Sequence, residues 1–273
     1  MDRRYFLRLT AGGIATATST YWSPLAAKSK TPRLDGNYFR KIENFDGDYP
    51  EDIMLEADDL LLLGQVVAHL RRVQATVGHG NFHLLGFDDM LRFGRNYSAI
   101  GSFTVREIEF MERIFYKKAT RYGFFGEKLL THLTDNISNR EVAKIPRTGQ
   151  YIAKGKSTEI CRKMQRTVGD DLVLTSGIRG IVKQMYLFLN KLLNSDGNLS
   201  RASRSLAPPG YSYHAIGDFD VGQKGLGTLN FTKTFATTKV YRRLVNLGFT
   251  DIRYPMDNLL GVRFEPWHIK IIS

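Results

Sequence analysis

The chain has 273 residues, 42% hydrophobic and 24% charged. That balance belongs to a globular protein long enough for one large core or two small ones, and excludes a bulk disordered chain. The formal charge of +12 and pI near 9.7 favour polyanionic partners. With no zinc-finger spacing, aromatic RNA-binding consensus or Lys/Arg block, nucleic acid is not the expected one.

In chain order, Asp2-Arg3-Arg4-Tyr5-Phe6-Leu7-Arg8 opens the sequence, a mild apolar stretch follows through Ile14 and Ala17, and small residues close it at Ala26 and Ala27. A charged start, a short apolar middle and an Ala-rich end describe a signal peptide, and the paired arginines before Phe6 and Leu7 resemble the twin-arginine export signal. The middle is shorter than the ~18 apolar residues of a spanning helix. Export to the periplasm or cell envelope is the expectation, with no other segment able to span a membrane. Residues 28–50 are polar and read as a linker or irregular arm. Leu63, Val66, Leu70, Val73 and Val77 recur at helical spacing and Gly78 stops the run,. Thr104 and Glu107 form a capping-box pattern ahead of a second helix, and a third is expected from about Gly126 to Ile137.

After about Ile145 the pattern changes. A helical repeat of Ile160, Met164 and Val168 includes the single cysteine, Cys161, which is expected in the core and excludes an intramolecular disulfide,. Asp171-Leu172-Val173-Leu174-Thr175-Ser176 reads as a short strand, followed by Gly177 and a helix through Val182, Met185, Leu189 and Leu193. Residues 198–230 are rich in Gly, Ser, Pro and Asn and read as a long loop, a length that tends to be functional. A helix from about Phe235 to Leu247, then short strands at 262–264 and 268–271, complete a chain whose elements do not alternate strictly. The fold class is therefore α+β.

Six histidines are candidates for chemistry. His79 and His83 lie four apart, but Gly80 and Asn81 argue against a helix and no carboxylate stands between them as in the His-Glu-x-x-His motif. They read as surface or turn residues, and the isolated His69 and His132 as packed or solvated. His214 and His268 keep different company. The first lies in Ser212-Tyr213-His214-Ala215-Ile216-Gly217-Asp218-Phe219-Asp220, the second in Glu265-Pro266-Trp267-His268. Catalytic zinc takes three N or O ligands and an open position for water, with a further carboxylate to accept the water's proton. Glu265 is the candidate base, and Pro266 can break the strand alternation that would turn it away from His268. A His-to-Asp pair across a Gly turn also forms as a purely structural hydrogen bond.

These segments resemble the D-alanyl-D-alanine carboxypeptidase (VanY-type) family of zinc peptidases over roughly residues 146–273. Ser176-Gly177-Ile178-Arg179-Gly180 with Gln184 is similar to the family's Ser-Gly-Tyr-Arg-Ser…Gln segment. Pro209-Gly210 with Ser212-Tyr213-His214 and Gly217…Asp220 resembles its Ser-x-His-x-x-Gly…Asp metal motif. Arg253-Tyr254-Pro255, after Leu247-Gly248-Phe249, matches a shorter signature. Glu265-Pro266-Trp267-His268 matches the terminal Glu-Pro-Trp-His outright.

The resemblance implies one zinc ion per chain on His214, Asp220 and His268, with Glu265 as catalytic base. Arg179 would meet the substrate carboxylate or developing oxyanion, and Gln184 and Ser212 would help bind the substrate end. The family's motif is one residue longer between its His and Asp. Asp220-Val221-Gly222 matches its Asp-Ile-Gly if the Gly217 turn is shortened, and Asp218 stays the alternative ligand. The organisation expected is a signal at 1–27, a linker and helical region at 28–145, and a catalytic domain at 146–273 built on a small antiparallel sheet with flanking helices. The substrate implied is a peptidoglycan stem peptide, cleaved at its C-terminal bond by D,D-carboxypeptidase action. L,D-carboxypeptidase or endopeptidase activity, or a non-catalytic zinc-stabilised cell-wall-binding module, are the alternatives.

Overall fold

The computed structural model describes residues 36–271, so the export signal expected at residues 1–27 lies outside the described residues. The order begins with helices α1 (Tyr38–Glu43), α2 (Ala57–Val77), α3 (His79–Phe82), α4 (Phe87–Asn96) and α5 (Val105–Tyr116). Helix α2 buries the repeat read from the sequence, including Leu63, Val66, Leu70 and Val73, and ends at Gly78. The capping box of α5 is complete: Thr104 Oγ1 accepts from the Glu107 N–H at 3.2 Å, and Glu107 Oε2 accepts from the Thr104 N–H at 2.8 Å,. Glu107 also accepts from His69 Nδ1 at 2.8 Å, so the cap ties α5 to α2.

A hairpin of β1 (Val142–Lys144) and β2 (Tyr151–Ala153) follows, then α6 (Lys156–Val168), β3 (Leu172–Ser176), α7 (Ile181–Leu193), α8 (Leu199–Ser203), β4 (Phe219–Gln223), α9 (Lys239–Asn246) and β5 (His268–Ile269). Strands β3, β4 and β5 form an antiparallel sheet with β4 in the middle. Its register sets Asp220 between Ser176 on one side and His268 on the other.

Two apolar cores organise the described residues. One joins α2, α4 and α5 to the buried face of α7, with Phe188, Leu189 and Leu192 fully covered. Full burial of such side chains contributes roughly 1.5–3 kcal/mol each. The other packs the three-stranded sheet under α6 and α9 through Cys161, Met164, Phe219, Val221 and Leu244. Helix α7 thus belongs to the helical core although it directly follows the Ser-Gly-Ile-Arg turn.

Several local expectations are corrected. Residues 126–137 form no helix, because the N–H groups of Leu129 and Leu130 both bond to the Gly210 carbonyl and Asp135 Oδ2 takes those of Thr131 and His132. Residues 262–264 form no strand: Arg263 N–H bonds to Arg204 O and Glu265 N–H to Tyr254 O, two unrelated acceptors. The arm at 28–50 contains α1, and residues 79–82 close one helical turn despite Gly80 and Asn81. The loop expected at 198–230 holds α8 and the central strand β4, whose Phe219–Gly222 stretch is buried on both faces and so shows no alternation. The helix expected from Phe235 starts only at Lys239, where Thr238 Oγ1 caps it by accepting from the Tyr241 N–H at 3.1 Å,.

Candidate metal centre

The end of β3 sets the geometry of the site. Gly177 packs so closely on the hairpin that a Cβ would fall 1.9 Å from the Tyr151 carbonyl oxygen, which leaves glycine as the residue that fits. The Gly177 carbonyl meets His214 Nδ1 at 2.7 Å. A carbonyl only accepts, so Nδ1 carries the hydrogen and Nε2 is left bare. Gly217, at φ 123°, makes the turn that brings the chain from His214 into β4.

His268 is oriented in the complementary way. Its Nε2 donates to Asp218 Oδ2 at 3.2 Å, leaving Nδ1 toward Asp220 Oδ1 at 3.5 Å and Glu265 Oε2 at 3.4 Å. Asp218 is committed elsewhere as well. It accepts from Arg253 Nε and Nη2 at 2.8 and 3.2 Å and from the Ile271 N–H at 2.9 Å. That leaves it as a buried orienting carboxylate of the kind that fixes a ligating imidazole.

His214, Asp220 and His268 each offer an atom within 4.8 Å of the others, and all three residues are buried. His214 Nε2 and Asp220 Oδ1 approach to 3.2 Å but are not aligned for a hydrogen bond, and neither atom has a partner. Buried polar atoms are rarely left unpaired. Two imidazole nitrogens and one carboxylate oxygen converging on one point are a zinc-type donor set, which such a metal would satisfy. Asp220 Oδ2 is held by Arg179 Nη2 at 2.6 Å, and Arg179 Nε donates to Ser176 Oγ at 2.9 Å.

The electrostatics follow from these contacts. Burial alone would raise the Asp220 carboxyl, but its interactions with the His214 ring and the Arg179 guanidinium hold it well below the usual carboxylate range. Burial and the neighbouring Arg179 lower His214. Burial likewise opposes a charge on His268, yet its bonds to Asp218 and Glu265 prevail and raise it to about 9. Asp218, despite burial, is brought down to about 2 by His268 and Arg253.

Glu265 reaches the same space through a turn. Its N–H donates to Tyr254 O at 3.0 Å and its carbonyl accepts from the His268 N–H at 3.2 Å, so Pro266 lies in a bend and not in a strand. The Arg253-Tyr254 segment thereby has two duties: Arg253 holds Asp218, and Tyr254 supports Glu265 and packs edge-on against the His268 ring at 5.0 Å.

A cavity of about 580 Å³ contains the triad, Glu265, Arg179, Gln184 and Ser212. The residues to which the family resemblance gives a role therefore line one space, and the alternative ligand Asp218 does not line it. Gln184 Nε2 donates to Ala207 O at 2.6 Å, while its Oε1 has no partner. The reading of His79 and His83 as surface or turn residues is corrected in part. Both line this cavity, and His83 is buried, because Gly180 N–H bonds to His83 O at 2.8 Å and draws that turn onto the start of α7. His69 is packed as expected, stacked on Phe103 with ring centroids 3.7 Å apart. Sequence reasoning passed over Lys183, which also lines the cavity; its place between Arg179 and Gln184 was the available signal.

Comparison with known proteins follows the same lines. The family model VanY, D-alanyl-D-alanine carboxypeptidase, matches residues 151–273. No curated protein matches the chain. Among solved structures, the chain is similar to a vancomycin-resistance D,D-pentapeptidase VanY from a VanB-type resistance cassette in complex with Zn(II), at 24% identity over 49% of this chain and 79% of that one, with a TM-score of 0.40. VanYB in complex with D-alanine-D-alanine gives 24% identity, 49% and 77% coverage and a TM-score of 0.40. The LdcB LD-carboxypeptidase gives 20% identity, 48% and 63% coverage and a TM-score of 0.39. The likeness to the VanY D-alanyl-D-alanine carboxypeptidase family thus belongs to residues 151–273, a little under half of the chain.

Proposed function

We propose that this chain is an exported zinc-dependent peptidase that hydrolyses the C-terminal peptide bond of peptidoglycan stem peptides as a D,D-carboxypeptidase. The observation that carries the reading is the pair of unpartnered buried atoms, His214 Nε2 and Asp220 Oδ1, facing His268 with Glu265 beside them in one cavity. His214, Asp220 and His268 would hold one zinc ion. Zinc in such a donor set polarises a carbonyl and lowers the pKa of bound water to ~7.

The chain's own residues supply the remaining chemistry. Glu265 takes the proton of the attacking water and delivers it to the leaving amine. Asp218 keeps the His268 ring turned toward the site, as the Gly177 carbonyl does for His214,. Arg179 neutralises the second oxygen of Asp220 and presents a permanent charge to the substrate's terminal carboxylate or to oxygen that becomes negative in the transition state. Gln184 and Ser212 would contact the substrate end. The signal at residues 1–27 would bring this chemistry to the cell wall, with residues 28–145 preceding the catalytic domain at 146–273.

The test is mass spectrometry of purified muropeptides, with tripeptide to pentapeptide stems, incubated with zinc-loaded protein. Shortening of the pentapeptide stem by one D-alanine is expected. Shortening of the tetrapeptide stem alone would replace the D,D assignment with an L,D one. No cleavage of any stem, with zinc bound, would overturn the carboxypeptidase reading in favour of crosslink cleavage or a non-catalytic module.

A further inference from the structure

The metal triad occupies only part of its cavity. The same space extends past Arg179 to Lys183 on the first turn of α7 and to His83 beyond it. The charge there is uncompensated. A cation in the first turn of a helix faces the partial positive charge of the unpaired N–H groups. Among the described residues, the first turn of α7 has no acidic side chain and no carboxylate pairs with Lys183. Its ammonium has only the faces of Phe82 and Tyr186, with centroids at 5.7 and 5.9 Å, near the outer limit of a cation–π contact.

The neighbours add to the imbalance. Burial, then the charge of Arg179, lowers Lys183 to about 8. Burial together with Lys183 and Arg179 lowers His83 to about 4, so its ring offers no charge of its own at neutral pH. His83 Nδ1 is buried and has no partner. Among the described residues, the acid that pairs with Arg179 is Asp220, itself a member of the candidate metal triad. Two cations and a helix N-terminus thus converge on a cavity wall with nothing negative assigned to Lys183.

We propose that Lys183, supported by Arg179 and the N-terminal end of α7, is a carboxylate-binding subsite that selects stem peptides by a free carboxylate. A carboxylate is the chemistry that answers both a point ammonium and a helix N-terminus. It has two sources in such a peptide: the C-terminal α-carboxylate, or the side chain of a diamino dicarboxylic acid on the amino side of the scissile bond. The subsite rests on the peptidase reading above for the identity of its ligand. It also gives the helical region a part in recognition, since His83 and Phe82 form the wall behind Lys183.

The test uses zinc-loaded full chain carrying Glu265→Ala, so that peptides bind without turnover, and compares it with the same protein carrying Lys183→Met or Lys183→Arg. Methionine keeps the apolar stem on Phe82 and Tyr186, and zinc content reports that the site is folded. Four pentapeptides serve as probes, bearing at the third position the dicarboxylic residue, its side-chain amide or lysine, or ending in a C-terminal amide. Lys183→Met is expected to weaken binding of the carboxylate-bearing peptide at least 10-fold, and Lys183→Arg to restore most of it. Loss confined to the free side-chain carboxylate identifies the side chain as the source. Loss for every peptide except the C-terminal amide identifies the terminus. Unchanged binding of all four peptides by Lys183→Met overturns the subsite alone. Binding of none of them to either protein overturns the substrate reading and the subsite together.

Discussion

His69 in the helical region and His214 beside the sheet are both buried, yet they are finished differently. His69 has a partner on each ring nitrogen, Glu107 at 2.8 Å and the Gly101 carbonyl at 3.0 Å, and Phe103 stacked on its face. His214 has the Gly177 carbonyl on one nitrogen and nothing on the other. The same contrast separates Asp52, held at both oxygens by Arg204, from Asp220, held at one. Burial of a polar side chain is therefore not a mark of function. What distinguishes the sheet region is burial with hydrogen-bonding capacity left over, directed at a shared point.

That comparison can be broken from either side. The largest effect is expected at Glu265. Glu265→Ala should keep zinc and lower kcat by ~10²–10⁴-fold, the usual contribution of a general base; full activity in a stopped peptide-release assay would remove Glu265 from the reaction. Next is Asp218→Asn, which loosens the His268 ring without deleting a ligand. Zinc affinity should fall ~10–100-fold in a chelator competition, whereas complete loss of zinc would make Asp218 a ligand and not an orienting group. On the helical side, His69→Ala leaves Glu107 partly unpaired and should cost ~1–3 kcal/mol in denaturant unfolding. Zinc stoichiometry should not change, and a change would erase the distinction between the two histidines.

The smallest effect concerns protons. In the metal-free protein His268 is raised to about 9, so at pH 7 its Nδ1 is protonated, and a metal at that atom must displace the proton. Calorimetry in buffers of different ionisation enthalpy should report release of about one proton per zinc at pH 7. Apparent affinity should rise with pH toward 9 and then level off. No proton release would place the metal away from His268.

The sequence was most legible where one residue type serves one local need. The α2 repeat, the Thr104 capping box and the Gly78 stop all follow from local spacing, and the structure keeps them. The site motifs were legible for a related reason: His214, Asp220, Glu265 and His268 are types that a metal-dependent hydrolase requires, in segments with a familiar order. What failed was whatever depends on a distant partner. The stretch at 126–137 has helix-forming residues, but Gly210 claims the N–H groups of Leu129 and Leu130. Strand β4 is buried on both faces, so no alternation betrays it. His83 looked like a turn residue because its burial depends on the packing of its carbonyl against Gly180. The preference for Asp220 over Asp218 rested on the Asp220-Val221-Gly222 match, because spacing alone gave no sign that Arg253 bonds to Asp218.

The most direct test of the account is zinc stoichiometry by native mass spectrometry, on the wild-type chain and on His214→Ala, Asp220→Ala and Glu265→Ala variants whose folding is checked by circular dichroism. The account predicts one zinc per chain in the wild type and in Glu265→Ala, and none retained after removal of His214 or Asp220. Equal zinc in all four proteins, or none in the folded wild type, would contradict it.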